Sequence, residues 1–117
     1  MTGPDGFAVL SGDDALTLPI MAAGGDGVIS VVSNVAPRAM SDMWDAVKAG
    51  EWERAKKRHF ELRVLSQMLF AEPSPGPTKA ALALMGRCSV DVRLPLVPAS
   101  SGLVDQLRVE LKALGAL

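Results

Sequence analysis

The sequence predicts an α/β fold, and within that class the tail end of a larger α/β architecture. Three observations carry this expectation. First, residues 7–10 (FAVL) and 27–32 (GVISVV) are continuous apolar runs without the alternation of a half-exposed strand, the pattern of parallel strands covered on both faces. Second, the segment between them reads as a helix, giving a β-α-β unit. Third, everything after residue 34 reads as helix or proline-bearing loop, so no further strand pairs with these two. Two such strands leave rows of unpaired N–H and C=O groups at their edges, which implies neighbouring strands outside this sequence.

Each element follows from local chemistry. In DDALTLPIMAAGG, Pro19 is tolerated only in a first turn, which sets the N-cap near Asp14 or Thr17 and the stop at Gly24–Gly25. In SNVAPRAMSDMWDAVKAG, Met40, Met43, Trp44 and Val47 form one helical stripe that Gly50 ends. Trp52, Ala55, His59, Leu62, Leu65 and Leu69 give a longer stripe with charges opposite, stopped by Pro73 and Pro75. GPTKAALALMG opens with Pro77 in a first turn and closes at Gly86. RCSVDVRLPLVPASS is extended. Ser100 or Ser101 then caps a last helix with Leu103, Leu107, Leu111 and Leu114 on one face. There is no internal repeat and no low-complexity tract.

Composition excludes several functions. A chain of 117 residues is one domain at most, and 49% hydrophobic content is rich for that size. It points to more burial than a small domain provides, or to a partner. The formal charge is −1, and the basic residues form no stripe, so neither a nucleic acid nor a membrane is expected as partner. The single Cys88 cannot form an internal disulfide, and MTGPDGFAVL lacks the flanks of a signal peptide. A soluble, cytoplasmic protein is the expectation, since no apolar run reaches the ~20 residues of a membrane span.

The candidate chemistry lies at the strand ends. SGDD (11–14) follows the first strand and Ser33–Asn34 follow the second, and in parallel α/β folds that end carries the ligand site. Asp13 and Asp14 are also suited to capping a helix start. They make a weak acid–base pair, because sequence neighbours usually point apart. They make weaker metal ligands, with no His or further acid at suitable spacing. GGDG (24–27) has the wrong polarity for a phosphate loop, since it follows a helix and opens a strand. Ser11, Ser30 and Ser33 have no base nearby, because His59 falls on a later helix among Lys57, Arg58 and Glu61 and reads as structural. The six methionines read as core filler, and ERAKKRH as a solvated helix face. The five lysines (48, 56, 57, 79 and 112) all fall in predicted helices, away from the strand ends.

SGDDALTLPIMAAGGDGVISVVSNVAP, LFAEPSPGPTKAAL and RLPLVP closely resemble the C-terminal part of the dihydrodipicolinate synthase family, from about Phe7 to Leu117. SGDD and GVISV at their separation, with NVAP, are the most specific elements. The family usually has Glu-Pro-Asn-Pro and then Ile-Pro-Val-Lys after the long helix. Here Ser74, Gly76 and Thr78 depart, while Glu72, Pro73, Pro75, Pro77 and Lys79 hold.

The resemblance implies the C-terminal part of a (β/α)8 TIM barrel: residues 1–50 as its last two βα units and residues 51–117 as a helical extension, in a homo-oligomer. It implies class I aldolase-type lyase chemistry in the diaminopimelate route to lysine. There a lysine near the sixth strand forms a Schiff base with pyruvate, and the enamine attacks aspartate semialdehyde, with a tyrosine relaying protons and no cofactor. That lysine would precede Met1, and this chain contains no tyrosine. No catalytic residue is therefore expected here. What carries over is a wall of the substrate pocket: Gly12, Asp13 and Ile29, the last through its backbone carbonyl. The family's lysine effector site lies in its N-terminal half and is not expected here. N-acetylneuraminate lyase and 2-keto-3-deoxy-sugar aldolases share this fold and chemistry, though GVISV and NVAP favour the synthase. The alternative of another class is a non-catalytic half-barrel that self-associates or completes another chain's barrel.

Overall fold

The structure, a computed structural model, describes residues 6–117. The element order is β1 (Leu10–Ser11), a 3-10 turn (Asp14–Leu16), α1 (Thr17–Ala22), β2 (Gly27–Val28), α2 (Val32–Val35), α3 (Pro37–Lys48), α4 (Trp52–Leu69), α5 (Gly76–Leu84) and α6 (Ser101–Ala113). The two strands pair in parallel, Leu10 against Gly27 and Ser11 against Val28, with α1 as their crossover.

The strands are shorter than the sequence predicts. The ladder is flanked by Asp26 N–H donating to the Val9 carbonyl at 2.7 Å and Ile29 N–H donating to that of Ser11 at 2.8 Å. Val9 N–H, however, is taken by the Asp26 carboxylate (2.8 Å), so before Leu10 a side chain replaces the partner backbone. At the other end Val32 already belongs to α2. The single helix expected after the second strand is in fact two. Ala36 leaves the helical region (φ −127°, ψ 60°) where Pro37 disfavours helical backbone in the residue before it, and Pro37 then opens α3.

Helix stops lie where the glycines predict them. After α1, Gly24 adopts φ +96° and Gly25 N–H reaches back to the Ile20 carbonyl at 2.8 Å. The same closure ends α3 at Gly50 and α5 at Gly86. Ser100 caps α6, its hydroxyl accepting from Leu103 N–H at 3.3 Å.

One core runs through the chain. Val32 and Val35 of α2, Met40, Met43 and Ala46 of α3, Ala55, Leu62, Leu65 and Leu69 of α4, Ala80 and Ala81 of α5, and Leu103, Leu107 and Leu111 of α6 are buried together. The α4 stripe is narrower than expected: Trp52 is 42% exposed and His59 half-buried, while Ser66 is buried. No described helix is long and apolar enough to cross a membrane.

Candidate functional site

The parallel pairing of β1 with β2 brings the two strand-end loops side by side, so SGDD and the Ile29–Asn34 segment share one mouth. Within the first loop, Ser11 is buried; its hydroxyl donates to the Asp13 carbonyl (2.7 Å) and accepts from Asp13 N–H (3.2 Å). Thr17 donates its hydroxyl to that same carbonyl at 3.0 Å. These bonds fold the loop tightly and leave Gly12 at its exposed crest, where a Cβ would meet nothing within 4 Å.

The two aspartates have separate roles. Asp13, exposed, caps the 3-10 turn by accepting from Ala15 N–H at 2.8 Å. The cap therefore sits one residue earlier than predicted, and α1 itself begins after Leu16 without a side-chain cap. Asp14 is buried and turns away from its own helix. Its carboxylate accepts from the Ser30 hydroxyl, from Val31 N–H at 3.0 Å and from Val32 N–H at 3.1 Å, thereby capping α2. Ser30 Oγ in turn accepts from Ser33 N–H at 2.8 Å. The sequence by itself suggests Asp14 or Thr17 as the cap of the helix that follows. The available signal was the S-x-x-S of Ser30 and Ser33 at the second strand end, a pattern that offers donors to a neighbouring loop.

Of the predicted wall, Gly12 and Asp13 stand on one loop and Ile29 on the next, each exposed, with Ile29 at 70%. The Ile29 carbonyl accepts no hydrogen bond among the described residues. An open hollow of about 330 Å³ borders the second loop, lined by Val28, Ser30, Ser33, Pro37, Met40 and Trp44 among others.

His59 stands on α4 and makes no hydrogen bond to a serine hydroxyl among the described residues. It packs edge-on against Phe60 (5.3 Å between centroids) and lines a small void of about 10 Å³ with Asp14, Ala15, Met43, Arg63 and Ser66. Burial, then the charge of Arg63, lowers its pKa below the ordinary value. All five lysines lie on α3 to α6, as expected. Lys79, on α5, donates to the Asp91 carbonyl in the segment between α5 and α6. Among the described residues no cluster of three His, Cys, Asp or Glu side chains is placed to hold a metal ion.

The dihydrodipicolinate synthetase family model matches residues 2–114. The chain belongs to that family. It is 52% identical over 114 residues to the 4-hydroxy-tetrahydrodipicolinate synthase of Methanopyrus kandleri, covering 97% of this chain and 38% of that protein. The crystal structure of dihydrodipicolinate synthase from Thermotoga maritima superposes with a TM-score of 0.95 at 48% identity, over 97% of this chain and 39% of that one. The chloride-inhibited enzyme from Acinetobacter baumannii, complexed with pyruvate, superposes with a TM-score of 0.89 at 39% identity, over 95% and 38% of the two chains. The chain thus spans about 38% of the length of the curated relatives it matches. The family assignment agrees with the resemblance in SGDD, GVISV and NVAP, and explains a two-stranded sheet carried by a helix-rich chain.

Proposed function

We propose that this chain is the C-terminal segment of a cytoplasmic (β/α)8-barrel lyase that condenses pyruvate with aspartate semialdehyde on the way to diaminopimelate and lysine. On this reading residues 1–50 supply the last two βα units, and residues 51–117 the helical extension. The observation that carries it is the juxtaposition of the SGDD crest with the unpaired carbonyl of Ile29 at one end of a parallel strand pair, on a chain whose relatives are named as this synthase. A backbone carbonyl fixed at the pocket wall orients a substrate and adds an electrostatic contribution where charge develops. It supplies no nucleophile, and the five lysines stand on helices away from that mouth. The Schiff-base lysine and the proton-relay tyrosine are therefore assigned to sequence outside these 117 residues. A pyruvate-bound relative supports pyruvate as the first substrate.

Borohydride trapping tests this assignment. The chain incubated with pyruvate and borohydride is expected to keep its intact mass. Mixed with the complementary N-terminal portion of the Thermotoga maritima enzyme, it is expected to restore condensation, with the adduct on that portion. A stoichiometric adduct on one lysine of this chain overturns the placement of the pocket.

A second reading is favoured by the exposed apolar side chains beside the open sheet, Phe7 (73%), Leu10 (48%) and Ile29 (70%). Here the chain acts as a non-catalytic half-barrel that associates with its own copies or completes another chain's barrel. A monomer in size-exclusion chromatography that leaves the complementary portion inactive contradicts it.

A further inference from the structure

We infer that Asp14 is a positioning residue for the pocket, acting as a clasp that fixes the Ile29 carbonyl by tying the loop after β1 to the loop after β2. This deepens the reading of Gly12, Asp13 and Ile29 as a pocket wall and rests on it. Three observations carry the inference. The Asp14 carboxylate is buried and accepts from a hydroxyl and two successive backbone N–H groups, from residues up to 18 positions away. Hydrogen bonds to an ionised acceptor are roughly twice as strong as neutral ones, so the crossing is stiff.

The residues on both sides of the Ile29 carbonyl are held. Ile29 N–H donates to the Ser11 carbonyl at 2.8 Å, and Val31 N–H donates to Asp14 at 3.0 Å. Ser30, between them, is gripped through its side chain, which bonds Asp14 on one side and Ser33 N–H on the other. Among the described residues the Ser30 and Val31 carbonyls both accept hydrogen bonds, whereas the Ile29 carbonyl accepts none. A group meant to act on a ligand must be aimed before the ligand arrives, and here the aim is set by a side chain that does not itself face the open mouth. Asp14 therefore acts through Ile29 and touches no substrate.

The test compares the isotope-labelled chain with its Asp14→Asn, Ser30→Ala and Ser30→Thr variants by amide hydrogen exchange and by the carbonyl carbon resonance of Ile29. Asp14→Asn is expected to speed exchange at Val31 and Val32 by tenfold or more and to move the Ile29 carbonyl resonance. Exchange in α4 and α6 should stay within about twofold, because local opening is independent of the helical core. Ser30→Ala should give the same changes at smaller amplitude, and Ser30→Thr, which keeps the hydroxyl, should restore the original behaviour. Unchanged exchange at Val31 and Val32, an unmoved Ile29 resonance, or a uniform acceleration throughout the chain each overturns the clasp. Absence of protection at Val31 and Val32 in the unaltered chain overturns it too. None of these readouts involves pyruvate, so a failed condensation experiment leaves the clasp standing and a failed clasp leaves the family chemistry standing.

Discussion

Thr78 shows what one atom decides. Its hydroxyl is buried on the first turn of α5 and has no hydrogen-bond partner among the described residues. A buried hydroxyl without a partner costs about 1–3 kcal/mol, so Thr78→Val should raise stability by about 1 kcal/mol in urea unfolding. A loss of stability would mean that the hydroxyl has a partner in solution. Gly25 shows the opposite constraint. A Cβ there would fall 2.6 Å from Ile20 Cγ2 and 2.9 Å from the Ile20 carbonyl oxygen, so Gly25→Ala should cost about 1–3 kcal/mol through the overpacked turn. His59 sets a pH dependence. Its folded-state pKa lies below 6.5, chiefly from burial, so as pH falls the unfolded chain takes up the proton first. Stability should therefore decline as pH drops through about 6.5 and level off once folded His59 is protonated. His59→Gln should flatten that slope in urea midpoints taken on either side of pH 6.5.

These residue-scale facts were unequally legible in the sequence. Gly24–Gly25 as a helix stop follows from local backbone preference, and His59 as a structural residue follows from its place on a charged helix. The orphaned hydroxyl of Thr78 and the partners of Asp14 do not follow, because each depends on groups brought together by packing.

At the scale of elements, the 3.6-residue stripes of α3, α4 and α6 gave their positions directly, since two or three turns of contiguous chain contain the signal. Ser100 is the clearest case of a cap with a further attachment. Besides capping Leu103 N–H, its own N–H and hydroxyl donate to Glu72, at 2.9 Å and 2.5 Å, joining the end of α4 to the start of α6. Ser100→Ala should destabilise by about 1 kcal/mol, as cap replacements typically do. The Ser100 hydroxyl, then its N–H, hold Glu72 below the ordinary carboxylate range. The stability from this contact is present above that range and is lost as pH falls through the lowered value. Glu72→Gln should remove the acid-side part of the unfolding profile. The strands were the least legible elements. GVISVV has the composition of a six-residue strand, yet pairing stops at Val28 and the Asp14 carboxylate draws Val31 and Val32 into a helix start.

At the scale of the whole molecule, the chain is larger than its length requires. A Cα radius of gyration of 15.3 Å compares with about 13 Å for a compact domain of this length. The excess accompanies apolar side chains left in the open, with Phe7, Leu16 and Ile29 around the strands and Phe60 and Val64 on α4 all more than 40% exposed. Surface of this kind favours association. We expect the isolated chain to elute above its 12.3 kDa monomer mass in size-exclusion chromatography and to shift on addition of the complementary barrel portion. A sharp monomer peak unaffected by that addition would count against both functional readings.

By itself the sequence determined the family, through SGDD, GVISV and NVAP, and the positions of the long helices with their glycine stops, because periodicity and glycine geometry act within a few residues. Only the tertiary structure decided that the strands are short, that Asp14 caps α2 across the mouth, and that the Ile29 carbonyl is unpaired among the described residues while the backbone around it is held. The physical reason is range. A helix is written in neighbours along the chain, whereas a carboxylate that bonds a residue 16 positions away is placed by the pairing of two strands that no local pattern specifies.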